Sequence, residues 1–570
     1  MLRKKPLWVI QAESDSAKHR VYGLFSLLAV GIGGAVGSGI FVLSGEISLH
    51  LAGPATCLSW LIGGFVCGTT ALAYAELSTL VPSGGSAYSY AYYSMGEVFA
   101  VLGAWLLTLE YGVSAAAVAR SWGDKVAFYA SELEVLGCSN NSTCWLNSAN
   151  GTTVNPAGSL LCVAAVIILL CGVEFGRDAV NTLFVLKCGL VFFVIMVGFW
   201  HFKAENMSPF LATPSEYVVG GIEGVFKGTT LAFFGFIGFD EVTVLTLEAV
   251  RPQRDIPVAI LGTIAVITTL YILASTALVG MIPYHLIDPD EGFGSAFRHI
   301  GAQWAVHVVM IGQILVVLPT VVLVSFLPQS RLLASVARDG LLPNVFAYTN
   351  EHGTLVGSIV IAGTIMSTIA LLVPFVVLDQ LISAGILIAF NLANTSLLVV
   401  RLGNDGRALR YALAINACTI SNGFAAVHKS SPVLLAVLYS VLALLLFRTR
   451  SLLQPSAEGT FSAPLVPFTP TLALSINWYL VAQVSDKGLI QVTVLMIAAV
   501  LIYLVRPVYR ILCKKQHLGT KDMEEIELSG LGGWHQVRQH PRRSESLDEA
   551  DIWLPRSPSI DGSHVEVSLH

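Results

Sequence analysis

The chain has 570 residues, of which 54% are hydrophobic and 12% charged, with a formal net charge of −5 and a mean hydropathy of +0.71. An ordinary soluble enzyme carries about twice that charged fraction, and the net charge itself says little, because in such a chain the placement of Lys and Arg matters more than their sum. Apolar runs of about 20 residues recur from Val21 to about Arg506, each long enough to cross a bilayer. The expected class is an all-α polytopic membrane protein.

Met1 to Arg20 is charged and polar, so the first apolar run, Val21 to Leu43, reads as a signal anchor rather than a cleaved leader. Its centre is Gly31-Ile32-Gly33-Gly34-Ala35-Val36-Gly37-Ser38-Gly39-Ile40-Phe41. Glycine is a poor helix former, although small residues also let helices pack closely. Unwound backbone survives in lipid only where it lines a cavity within the protein. The stretch therefore reads either as a packing seam or as a broken helix whose free N–H groups capture an anion at mid-membrane.

Gly53-Pro54 opens a second span ending at Leu80, and Val81-Pro82-Ser83-Gly84-Gly85-Ser86-Ala87-Tyr88 follows as a polar turn. The third span, Val98 to Val126, carries Glu110. From Glu132 to Pro156 the chain is polar, with glycosylation sequons at Asn140, Asn141 and Asn150 and cysteines at Cys138 and Cys144. This predicts a glycosylated extracytoplasmic loop with its own disulfide. A covalent heavy subunit is the less favoured use of those thiols.

Further spans are expected at Leu160 to Val173, Ala179 to Phe202 (carrying Lys187), Gly228 to Glu248, Val258 to Ile282, Trp304 to Phe326, Leu355 to Leu378 and Leu381 to Val400. Four more apolar runs cover Leu409 to Val427, the weakest, then Val433 to Phe447, Pro464 to Val484 and Leu489 to Val505. Arg3-Lys4-Lys5 and Lys18-His19-Arg20 place the N-terminus in the cytoplasm. Alternation then puts the sequon loop outside, and Arg251 to Arg254, Arg331 to Arg338 and Arg401 to Arg410 inside. If Leu409 to Val427 spans, Arg448, Arg450 and the Arg506 to Lys515 cluster also fall inside, so fourteen spans are expected rather than thirteen.

A second interruption, Phe233-Phe234-Gly235-Phe236-Ile237-Gly238-Phe239-Asp240-Glu241, falls in the sixth span, five spans after the first. Matching breaks in two five-span halves point to a 5+5 inverted-repeat transporter fold of the LeuT type, with about four extra C-terminal helices. The expected layout is a cytoplasmic N-terminus (1–20), repeats over 21–202 and 203–400, additional helices over 401–510, and a disordered cytoplasmic tail over 511–570. One break offers N–H groups suited to a carboxylate, the other carbonyls suited to an ammonium. Together they fit the head of an α-amino acid, and no metal or cofactor is required.

These motifs resemble those of the amino acid–polyamine–organocation transporters, and among them the cationic amino acid transporters. The matching residues are Gly37-Ser38-Gly39-Ile40-Phe41, Pro82 with Gly84-Gly85-Ser86-Ala87-Tyr88, Leu109-Glu110-Tyr111, Phe233 to Asp240, Glu248 with Pro252 to Pro257, and Ala337 to Pro343. The resemblance implies that Val36, Gly37, Ser38 and Gly39 meet the substrate carboxylate. It further implies that Phe234, Gly235 and Ile237 offer carbonyls to the amino group, with Phe236 or Phe239 as an aromatic gate. Lys187 matches a lysine that stands in for sodium, which leaves proton coupling and plain facilitation both open. Glu110 is placed near the site, as a partner for a substrate cation, a proton acceptor or a structural partner. Leu318 and Thr320, either side of Pro319, are expected to line the side-chain pocket. No second carboxylate is evident there, so small neutral amino acids stand beside cationic ones.

The expected function is sodium-independent amino acid transport by alternating access, not an enzymatic reaction. A non-transporting amino-acid sensor on the same fold is the rival. A plasma membrane location is favoured over a vacuolar or lysosomal one.

Overall fold

The computed structural model describes residues 3–15, 20–37, 39–132, 154–215, 218–288, 292–350, 353–457 and 459–517. Ser38, the sequons at Asn140, Asn141 and Asn150, Cys138 and Cys144, and nearly all of the expected tail lie outside these residues. The chain divides into one compact unit, Met1–Tyr503, and a second, Leu504–His570. The site lies wholly in the first.

Among the described residues the regular structure is helical, and the one β pairing is an isolated parallel bridge from Tyr22 to Ala249. Nine helices there are long and apolar enough to cross a membrane, and Leu24–Ala35, Pro156–Leu170 and Val356–Leu372 are shorter apolar helices. Large apolar side chains such as Phe65, Phe192, Met196 and Ile497 point outward. In water that would be an aggregation surface; in lipid it is the expected outside of a bundle. The weak apolar run at Leu409 to Val427 is helical throughout, within Gly406–Val427.

Burial separates a centre from a periphery. Leu381–Arg401 is buried along most of its length, whereas Pro432–Arg450 and Asp486–Leu504 expose most of theirs. At the centre Thr56–Leu80 lies along Pro252–Met281. The approach is so close that a β-carbon on Gly64 would fall 2.2 Å from Thr268 Oγ1. Small residues thus replace the hydrophobic effect as the reason membrane helices sit together.

One end of the bundle is tied by charge. Arg331 holds Glu248 through two parallel bonds, Nε to Oε1 at 2.6 Å and Nη2 to Oε2 at 2.9 Å. Residues before the first long helix form a short helix, Leu7–Asp15. Lys5 anchors it, with its ammonium 2.8 Å from Glu13 Oε1 and 2.6 Å from Asp339 Oδ1. Tyr88 donates to the other oxygen of Asp339.

Candidate functional site

Both glycine-rich stretches are breaks. Helix Leu24–Ala35 stops at Val36, whose backbone is extended, and helical structure resumes at Gly39–Leu43 as a wide π turn. In the sixth span Gly221–Ala232 tightens into a 3₁₀ turn, Phe233–Phe236, then unwinds at Ile237. Gly238 takes a positive φ of 112°, and Glu241–Val244 restarts the helix. Only glycine accepts that φ without strain, so the second break is written into its sequence.

The breaks touch. A β-carbon on Gly238 would lie 2.9 Å from Ala35 N, and one on Gly34 would lie 3.4 Å from Gly238 Cα. The Tyr271 hydroxyl sits 2.7 Å from the carbonyls of both Ala35 and Gly235, bridging the two. Its single proton serves one of them at a time. Trp60 packs against Tyr271 with ring centroids 4.5 Å apart and holds the phenol in place.

Lys187 is fully buried and reaches the first break from helix Val173–Trp200. Its ammonium donates to Gly33 O at 2.7 Å and Val36 O at 2.5 Å. These are the orphan carbonyls at a helix C-terminus, where the partial charge is negative, so the cation both caps and neutralises. Burial of an ammonium is expensive in a membrane unless it is so partnered.

A small cavity of about 20 Å³ opens between the breaks, lined by Gly34, Ala35, Gly37 and Gly39 from the first and by Phe234 and Ile237 from the second. Ser114, Val118, Val321 and Ser325 close its sides, and none of these residues carries a charge. Of the expected site residues, Gly37, Gly39, Phe234 and Ile237 line the cavity. Val36 is buried behind them, its carbonyl taken by Lys187. The Gly235 carbonyl is partnered by Tyr271 rather than facing the cavity unpaired. Phe236 packs on Trp60 and Tyr271, and Phe239 on Tyr74 and Phe390, so the aromatic ring at the cavity is Phe234. Leu318 and Thr320 are buried on the same helix as Val321 and Ser325, which form the wall instead.

Glu110 also sits elsewhere. It shares an i, i+4, i+8 face with Ser114 and Val118 in a regular helix, but Leu109–Val113 is a π turn, which adds a residue and rotates what precedes it. Glu110 consequently faces Asp240, whose Oδ2 accepts a 2.6 Å bond from Tyr111. Residues 313–317 form a second such turn just before Pro319, where the missing amide interrupts the ladder. Tyr271, Ser325 and Glu241 carry contacts that the sequence reading did not assign. The clue for Val321 and Ser325 was their four-residue spacing on one face.

The model for the amino acid permease family matches residues 22–505. The chain belongs to the amino acid permease family. A cationic amino acid transporter of Arabidopsis thaliana, described as vacuolar, is 33% identical over 66% of this chain and 59% of its own length. The chain thus covers less than two thirds of that permease. The methylthioribose transporter of Bacillus subtilis is 33% identical over 70% of this chain and 86% of its own. A branched-chain amino acid permease of the same organism is 31% identical over 70% and 85%. Permeases of this family are multi-pass membrane proteins and not enzymes. Their printed cargoes differ in charge and size, so membership alone does not name the substrate of this one.

Proposed function

We propose that the chain is a sodium-independent amino acid transporter that works by alternating access, with its substrate held between the two breaks. The cavity bounded by both carries this reading, because it sets Gly37 and Gly39 of the first break against Phe234 and Ile237 of the second. The substrate carboxylate binds the amides at the start of the resumed helix, and the amino group binds carbonyls of the second break. Lys187 supplies, at the first break, the positive charge that a sodium ion would otherwise bring. The two five-span repeats, the fourteen-span layout and a cytoplasmic N-terminus belong to the same reading.

The lining favours small neutral side chains over cationic ones. Valine, isoleucine, phenylalanine and serine side chains face the cavity, and a guanidinium or ammonium among them would meet no charged residue in the lining itself. The test is uptake of radiolabelled L-alanine and L-arginine into proteoliposomes, in sodium and in choline buffers. Saturable uptake, equal in both buffers and stronger for L-alanine, is the expected result. Saturable binding without uptake would instead identify a sensor.

A further inference from the structure

Building on that transport reading, we propose that Glu76 is a positioning residue through which the chain from Arg401 onward fixes the place of Trp60 at the two breaks. Helix Thr56–Leu80 carries both residues. Near its start, Trp60 packs on Tyr271, whose hydroxyl bridges the breaks, and on Phe236 with ring centroids 5.8 Å apart. Glu76 lies about 24 Å further along the same axis. It takes no part in lining the cavity.

Glu76 is only 1% exposed, and three groups converge on its carboxylate. Its Oε2 accepts a 2.7 Å bond from the amide of Ala463, and its Oε1 a 3.2 Å bond from the Ser456 hydroxyl. The Arg401 guanidinium, at the end of Phe375–Arg401, stands 3.3 Å from the same Oε1. Ser456 and Ala463 belong to the connection between Pro432–Arg450 and Phe468–Val481. That connection grips the next turn as well, where the Thr79 hydroxyl oxygen accepts from Phe461 N at 3.2 Å. Between Trp60 and Glu76, Thr70 Oγ1 accepts from Asn394 of Phe375–Arg401 at 3.1 Å and from Asn477 of Phe468–Val481 at 3.5 Å.

A carboxylate is a costly way to join membrane helices, since apolar packing of the same volume is commonly no less stabilising. Its distinctive property is direction. Apolar surfaces still meet after one slides along the other, whereas three groups converge on one carboxylate at a single height. Glu76 therefore sets the position of its helix along the axis, and a rigid helix passes that position on to Trp60. The brace on Tyr271 follows, and with it the tie between Ala35 and Gly235.

The test is a double-mutant cycle on uptake into proteoliposomes, with Glu76→Ala, Trp60→Phe and the double variant, and thermal melts alongside. The substrate is L-alanine or L-arginine, whichever the native protein carries. Each single change is expected to raise KM by about threefold or more, with kcat changed less. Independent sites this far apart have effects on KM that multiply. Here the double variant is expected to show a KM no higher than the larger single value. A KM raised by the product of the two single effects overturns the proposal and leaves the transport reading standing. So does Glu76→Ala with a lowered melting temperature and native KM, which would make the carboxylate purely structural. Should Glu76→Ala not fold, Thr79→Val serves: loss of the acceptor for Phe461 N is expected to raise KM about twofold in the native background and not at all beside Trp60→Phe. Equal rises in both backgrounds count against the assignment. If the native protein takes up neither amino acid, the transport reading falls and this proposal with it.

Discussion

Gly39 and Gly235 meet backbone to backbone: a β-carbon on Gly39 would fall 2.6 Å from the Gly235 Cα. No side chain can retract to relieve that overlap, so Gly39→Ala must push the two breaks apart. A loss of at least tenfold in amino acid uptake is expected, with a stability loss of about 1–3 kcal/mol. Uptake kinetics and a thermal melt of the variant check both; native kinetics would show that the breaks need not touch.

Gly235→Ala is the complementary change. Its β-carbon would lie 2.7 Å from the Trp60 ring, which in turn braces Tyr271. The expected outcome is displacement of the phenol, read as quenching or shift of tryptophan emission together with a higher KM. Unaltered emission and KM would mean the indole has room to move.

Tyr271→Phe removes the hydroxyl that bridges Ala35 and Gly235 and leaves their carbonyls unpartnered. The cost is about 1–3 kcal/mol for an orphaned buried group. Because the bridge ties one break to the other, kcat for uptake is expected to change more than the melting temperature of the protein. Equal effects on both would mark the bridge as purely structural.

Lys187→Ala strips the donor from Gly33 O and Val36 O. Uptake is expected to fall at least tenfold with the protein still in the membrane fraction. Retained rate and retained pH dependence would show that the ammonium has no part in the cycle.

Much of this arrangement was legible before the fold was known. The glycines at 34, 37, 39, 235 and 238 announced two interruptions, because glycine in mid-span has a packing or unwinding role and little else. Lys187 announced itself by its cost in lipid. What sequence could not place were side chains whose direction depends on a local change of helical pitch. The π turn Leu109–Val113 turns Glu110 toward Asp240, and the turn before Pro319 brings Val321 and Ser325 to the wall in place of Leu318 and Thr320. Tyr271 could not be picked out either, since a tyrosine in an apolar span signals nothing until its hydroxyl is seen between two chains of carbonyls.

The N-terminal helix has its own pH signature. Burial alone lowers the affinity of Lys5 for its proton, but the Asp339 and Glu13 carboxylates more than offset this and hold it above the ordinary lysine range. The docked state therefore favours the ammonium, and its contribution is complete below the ordinary lysine pKa of about 10.4 and lost as pH rises through the higher docked value. A spin label at Gln11 is expected to stay immobile from roughly pH 6 to 9 and to loosen only in strongly alkaline buffer. With Lys5→Met the label should be mobile at neutral pH; an immobile label there would mean the ion pairs do not hold the helix.

The most direct measurement is an experimental structure of the purified protein with a transported amino acid, L-alanine or L-arginine, at saturating concentration. Density for the amino acid is predicted between Gly37–Gly39 and Phe234–Ile237, with its carboxylate toward the first pair and its side chain against Val118 and Val321. Density elsewhere in the bundle, with the space between the two breaks filled by protein side chains, would contradict the account.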